Sequence, residues 1–259
     1  MIRRAVPWVG LLLLAISFVW FLRMPRSVGR FEQPREAGGA KRFGVVLDPG
    51  HGGEDSGAMC GKVMEKDLTL DVALRAEVLL RAAGFRTILT RSDDRYLSLA
   101  ERAEIANEEK DSLFVSIHFN DADHAGAASG VETYFAARQS GAAHGILAWL
   151  PFLHPVVEAK PLLAKSESLA RFLQAAMVER TQAVDRGTKT AQFYVIRNVR
   201  HPAALVEGGF ITNQADMAKL TTVKYREEIA RAISEGIGRY REALRPNEPT
   251  LAWASTSPE

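Results

Sequence analysis

Residues 113–120 read Leu113-Phe114-Val115-Ser116-Ile117-His118-Phe119-Asn120. The run has no polar face, so over Leu113–His118 it predicts a strand covered on both sides, as at the centre of a parallel sheet. Ala204-Leu205-Val206, within Ala203–Glu207, reads the same way. Working outward, Gly44–Asp48, Arg86–Thr90, Val131–Phe135 and Phe193–Ile196 are further candidate strands. Helical periods come between them. Leu169, Phe172, Leu173, Ala176 and Met177 form one apolar stripe, and Ile229, Ala232, Ile233, Gly236, Ile237 and Tyr240 form another. An earlier helix should start near Lys66 or Asp67, with Leu70, Leu74 and Val78 on its buried side. This alternation predicts an α/β fold: one domain with a mainly parallel sheet of roughly six strands, covered by helices on both faces.

The composition agrees with one globular domain plus appendages. With 259 residues, 47% apolar, 25% charged and a formal charge of +2, disordered, collagen-like and multi-span membrane classes are excluded. The only cysteine, Cys60, has no internal disulfide partner and is expected to fill a small buried apolar space. The small net charge hides a split. Residues 1–41 carry seven Lys/Arg against two Asp/Glu, leaving 26 basic and 29 acidic residues in the remainder. The basic excess therefore lies at one end, and no nucleic-acid-binding face is indicated.

Ala5–Leu22 is an uncharged run of 18 residues. As a helix it would be about 27 Å long, close to the thickness of a hydrocarbon core. It is read as a membrane segment within residues 1–22, either an anchor or an uncleaved signal. Arg23, Arg26, Arg30 and Arg35 follow it and argue for a cytoplasmic remainder. Residues 23–41, rich in charge, Pro and Gly, read as a flexible linker, 42–244 as the folded domain and 245–259 as a tail.

Chemistry is expected where strands end, because open α/β sheets bind ligands beyond the carboxyl ends of their strands. The first strand runs into Asp48-Pro49-Gly50-His51-Gly52-Gly53, whose glycines allow a tight turn that presents His51. His118 ends the central strand, Glu65 opens the first helix, and Glu207 closes a later strand before Gly208-Gly209. Two imidazoles and a carboxylate make up the ligand set of a hydrolytic zinc site, and a further carboxylate could take the proton of the attacking water. Taken singly, each has an ordinary reading: a turn histidine, a first-turn glutamate, a core histidine and a strand terminator. The separations of 14, 53 and 89 residues are not a local zinc signature.

The blocks VVLDPGHGG, MEKDLTLDVAL, TRSDD with LSLAERAEIAN, SIHFN followed by GVETYF, and ALVEGGFITNQAD occur in this order across residues 43–241. In this the sequence resembles the zinc-dependent N-acetylmuramoyl-L-alanine amidases of the type 3 family. The resemblance implies one Zn2+ per chain on His51, Glu65 and His118, with Glu207 as the catalytic carboxylate. It also implies hydrolysis of the amide between N-acetylmuramic acid and the L-alanine of the peptidoglycan stem peptide. Zinc would polarise the carbonyl and acidify its water, and Glu207 would pass the proton to the departing amine. The alternatives are a non-catalytic peptidoglycan-binding or adaptor protein on the same fold, and a zinc peptidase that cuts within the stem. The expected location is periplasmic or otherwise extracytoplasmic, held at the cytoplasmic membrane through Ala5–Leu22, or exported in soluble form if that segment is cleaved.

Around the four principal residues, Asp48 and Asn120 could orient a ligand or hold substrate, with turn roles as the alternative. Arg91 and Arg186 read either as receptors for stem-peptide carboxylates or as solvated arginines. His124, His144, His154 and His201 are assigned no role. An insertion at about residues 139–165 departs from the compact family pattern. By analogy it could be a lid or an activator-docking element, with Glu158 blocking the metal; the competing reading is a hydrophobic flap.

Overall fold

The computed structural model describes residues 43–121, 128–139 and 160–245, all within one compact unit, Lys41–Glu259. Its strands are β1 (Gly44–Pro49), β2 (Met59–Cys60), β3 (Val63–Met64), β4 (Arg86–Leu89), β5 (Ser112–Asn120), β6 (Val131–Phe135), β7 (Asp185–Thr190) and β8 (Ala203–Phe210). Its helices are α1 (Glu65–Ala82), α2 (Leu99–Glu108), α3 (Lys160–Thr181), α4 (Tyr194–Arg197), α5 (Gln214–Leu220) and α6 (Val223–Ala243).

Six strands form one sheet in the order β4-β1-β5-β8-β6-β7, while β2 and β3 make a separate two-stranded hairpin. Within the six-stranded sheet pairing is parallel except between β6 and β8. The fold is thus the expected mainly parallel α/β domain. The apolar runs 113–117 and 204–206 take the two central positions, where both faces are covered.

Side chains alternate between the two faces of the sheet, and the faces differ. One buries Val45, Leu47, Val115, Ile117, Ala204 and Val206 under the long helices α1, α3 and α6. The other buries Val46, Phe114, Ala203 and Leu205 under the shorter α2 and α4, through Ala103, Ala106, Val195 and Ile196. His118 has the parity of Phe114, and Glu207 that of Leu205, so both belong to this thinly covered face. The candidate site opens there.

Four expectations are corrected. Phe193–Ile196 is not a strand: α4 turns there, with Val195 and Ile196 buried and Phe193 and Tyr194 exposed. A four-residue apolar run cannot distinguish the two states. The sixth strand is Asp185–Thr190, polar because it lies at the sheet edge and pairs only with β6. Helix α1 begins at Glu65 and buries Leu68, Val72, Ala73, Ala76 and Leu80, leaving Leu74 and Val78 exposed. Cys60, in the β2–β3 hairpin, is exposed and fills no core space.

The expected anchorage of the chain at the cytoplasmic membrane is also corrected. Among the described residues no helix is long and apolar enough to cross a membrane. The run Ala5–Leu22, on which that placement rested, lies outside the described residues, as do the linker 23–41, residues 140–159 with Glu158, and the tail beyond Arg245. Of the segment 139–165, Gln139 is buried, its Nε2 donating to the carbonyls of Ile196, Val199 and His201. Residues 160–165 are the first turns of α3.

Candidate metal centre

The site begins with the turn after β1. Gly50 donates its N–H to the carbonyl of Ile117 at 3.0 Å, which ties the turn to β5. A Cβ at Gly50 would stand 2.3–2.7 Å from three ring atoms of His118, so only glycine lets that ring lie against the turn. His51 follows with a φ of 59°, an uncommon conformation for a residue with a side chain. The surrounding contacts hold it there. Arg102 Nη2 donates to the His51 carbonyl at 2.6 Å, and its Nη1 donates to Pro49 O at 2.7 Å and Asp48 Oδ1 at 2.8 Å.

Asp48 is fully buried and also accepts from Thr90 Oγ1 at 2.6 Å and Ser116 Oγ at 2.8 Å. It therefore acts beneath the turn, through Arg102, and touches neither imidazole. Arg91 binds no solvent and is placed to bind no substrate, contrary to both readings of it. It is completely buried, with Nε donating to Pro49 O and Nη2 to the carbonyls of Gly50 and Lys66.

Glu65 is the first residue of α1, and its side chain is 4% exposed. Oε1 accepts from Phe119 N at 3.0 Å and lies 2.9 Å from His118 Nδ1. Oε2 accepts from Ala58 N at 2.9 Å and lies 3.1 Å from His51 Nε2. Burial opposes ionisation of this carboxyl, but hydrogen bonds to His118 and His51 outweigh it and hold the group well below the usual carboxylate range. The other nitrogen of His51, Nδ1, is 2.8 Å from Asp55 Oδ2, which fixes the ring with Nε2 toward Glu65. Burial works against protonation of His51, and its bonds to Glu65 and Asp55 reverse the balance upward. The two imidazoles meet edge to face with centroids 4.9 Å apart.

His51, Glu65 and His118 thus offer ligand atoms that all lie within 4.8 Å of one another. Neighbouring ligands of a tetrahedral zinc stand about 3.3 Å apart, close to the 2.9 and 3.1 Å between Glu65 and the two rings. The donor set, with one negative charge and two neutral nitrogens, suits such an ion.

Glu207 is the register partner of His118 on the adjoining parallel strand. It is 9% exposed, and among the described residues its Oε2 has no hydrogen-bond partner. Burial, together with the nearby charges of Glu65 and Glu132, pushes its carboxyl far above the ordinary range. On its other side Glu207 is in register with Glu132 of β6. Asn120 lies off the imidazoles and donates Nδ2 to Glu132 Oε1 at 2.7 Å. Arg186 and Lys189 also bind Glu132. His201 is half-buried, and burial lowers its pKa; His124, His144 and His154 lie outside the described residues.

Sequence reading overlooked Asp55, Arg102, Glu132 and Lys189. Arg102 partners Asp48 across 54 residues and Lys189 partners Glu132 across 57, so no local spacing reveals either pair. Asp55, only four residues beyond His51 in a glycine-rich loop, was the one within reach of a local signal.

An open, mainly parallel sheet with two imidazoles and two buried carboxylates at one strand edge defines an α/β domain built for hydrolytic chemistry. Residues 45–239 match the family model of N-acetylmuramoyl-L-alanine amidase, and the chain belongs to that family. It is 38% identical to protein YqiI of Bacillus subtilis over 76% of this chain and 84% of that protein. It is 36% identical to the N-acetylmuramoyl-L-alanine amidase LytC of the same organism, over 76% of this chain and 35% of LytC. Among solved structures, an N-acetylmuramoyl-L-alanine amidase of Clostridium difficile 630 superposes with a TM-score of 0.67 at 29% identity, covering 80% of this chain and all of that one. The chain is an enzyme, and its reaction is amide hydrolysis in peptidoglycan.

Proposed function

We propose that His51, Glu65 and His118 hold one Zn2+, and that Glu207 is the general base and acid for hydrolysis of the bond between N-acetylmuramic acid and L-alanine. One observation carries the reading: three convergent ligand atoms stand one strand away from a buried carboxylate with an unpaired oxygen. Bound there, zinc supplies Lewis acidity to the scissile carbonyl and lowers the pKa of an attacking water.

The chain's own residues do the rest. Asp55 and the Phe119 amide fix His51 and Glu65, so the ligand atoms are positioned before the ion arrives. Glu207, about 4.8 Å across the ladder from His118, lies on the same face of the sheet. Buried and with an unpaired oxygen, it is placed to take a proton from water and deliver it to the departing L-alanine amine.

Mass spectrometry of peptidoglycan digested with the purified full chain tests the bond assignment. Released peptides should begin with L-alanine and leave intact muramic acid; cuts within the stem would defeat the assignment. A chelator should abolish release and zinc restore it. Glu207→Gln should keep its zinc while kcat falls by about 10²–10⁴-fold. Retained zinc with full turnover would remove Glu207 from the reaction.

A further inference from the structure

On the open face, beside Glu207, Glu132 has a side chain only 2% exposed and bonded on every side. Its Oε1 accepts from Asn120 Nδ2 at 2.7 Å and from Tyr134 Oη. Its Oε2 accepts from Arg186 Nε at 2.8 Å and from Lys189 Nζ. One cation would neutralise this carboxylate, yet two are bound, so the cluster has a surplus positive charge.

Both cations come from the edge strand β7, and one oxygen holds them side by side. Their side chains remain 32% and 37% exposed. Among the described residues Arg186 donates only through Nε, and its guanidinium lies over the Phe210 ring, 4.9 Å from the centroid. The inner ends of both cations are fixed on Glu132, while the part-exposed Arg186 has no second hydrogen-bond acceptor for its terminal nitrogens among the described residues. That is a preorganised receptor for an anion, with little ordering left to do on binding.

We infer that Arg186 and Lys189, set on Glu132, form a subsite for a carboxylate of the stem peptide: the α-carboxylate of the glutamate that follows L-alanine. The inference rests on the amidase reading. Glu132 is one strand from Glu207 and β7 one strand further, so at about 4.8 Å per strand the pair lies within roughly 10 Å of Glu207. Two residues of extended chain, the separation between the muramoyl carbonyl and that carboxylate, span about 7 Å. This glutamate continues the stem through its side chain, which leaves the α-group as a free carboxylate or, when amidated, a neutral amide. The acid form brings the cluster to neutrality, and the amide form does not.

The test uses the purified full chain with zinc and two muropeptides that differ only in this group, α-carboxylate against α-carboxamide. The wild type should favour the acid by about tenfold or more in kcat/KM, mostly through KM. Arg186→Gln, Lys189→Gln and their combination should each move the preference toward one, and Arg186→Lys should retain part of it. Equal kcat/KM for the two substrates in the wild type overturns the subsite without any variant having to fold. A double variant with normal circular dichroism and an intact preference also overturns it. Failure to release a stem beginning with L-alanine from either substrate overturns the amidase reading, and the subsite with it, so the two failures are told apart.

Discussion

Gly50 shows how little room the site leaves. Its backbone has no left-handed requirement; the constraint is the His118 ring, whose Cε1, Nε2 and Nδ1 would lie 2.3–2.7 Å from an added methyl group. Gly50→Ala should therefore push His118 off Glu65 and lower zinc affinity by about ten- to a hundredfold, the range for groups that orient ligands. A chelator-competition titration measures it, and an affinity within twofold of wild type would mean that His118 is not held as described. Arg102 exerts the same control from below. Arg102→Ala strands the buried Asp48 carboxylate and frees the His51 carbonyl, and should cost about 3–5 kcal/mol in urea denaturation, with Arg102→Lys recovering part. His51 and His118 were legible as candidates because a glycine turn and a strand end mark them, whereas Glu65, opening a helix, was singled out only by the sequence block it stands in. Arg102 was not, because an arginine inside a helix looks like a solvated one until the fold brings it onto Asp48.

Elements were legible where apolar content and position agree. Strands β1, β5, β6 and β8 and helices α3 and α6 satisfy this condition, and all six residues of the α6 stripe are buried, together with Tyr225 and Ala230. Helix α1 carries two apolar rows, Leu68-Val72-Ala76-Leu80 and Leu70-Leu74-Val78, about 200° apart around the axis. Sequence alone does not rank them. The sheet selects the first row because Ala73 and Ala76 allow close approach, while Leu74 and Val78 remain 38% and 67% exposed. Leu80→Ala should then cost about 2–5 kcal/mol, whereas Val78→Ala should change stability by no more than about 0.5 kcal/mol. Equal losses in denaturant titrations would reverse the assignment. Strand β7 was illegible for the opposite reason: an edge strand needs no apolar run, and its Arg186 and Lys189 serve Glu132 instead of a core.

At the scale of the molecule, the two faces of the sheet divide the labour: α1, α3 and α6 pack the deep core on one side, and the proposed site, apart from Glu65 at the first position of α1, lies on the other. Ion pairs on the helix face should therefore affect stability and leave turnover alone. Asp71 of α1 accepts from Arg75 of the same helix and Arg226 of α6, and Arg75 also reaches Glu227 of α6, which links the two helices. Burial would raise the Asp71 pKa, but the bonds from Arg75 and Arg226 outweigh it and bring it below the ordinary 3.8. The sign follows from linkage: the stabilisation is complete above the unfolded value and is lost as pH falls from there through the lower folded value. Because the side chain is 34% exposed, the effect should be only a few tenths to about 1 kcal/mol. Asp71→Asn should thus be slightly less stable than wild type at neutral pH, and the gap should close as the solution is acidified below about pH 4. Added salt should narrow it as well, since partly exposed charges are screened. Urea titrations across pH, paired with amidase assays at pH 7, measure both halves of the claim. A gap that widens in acid would contradict the ion pairing, and a fall in kcat would contradict the separation of the two faces.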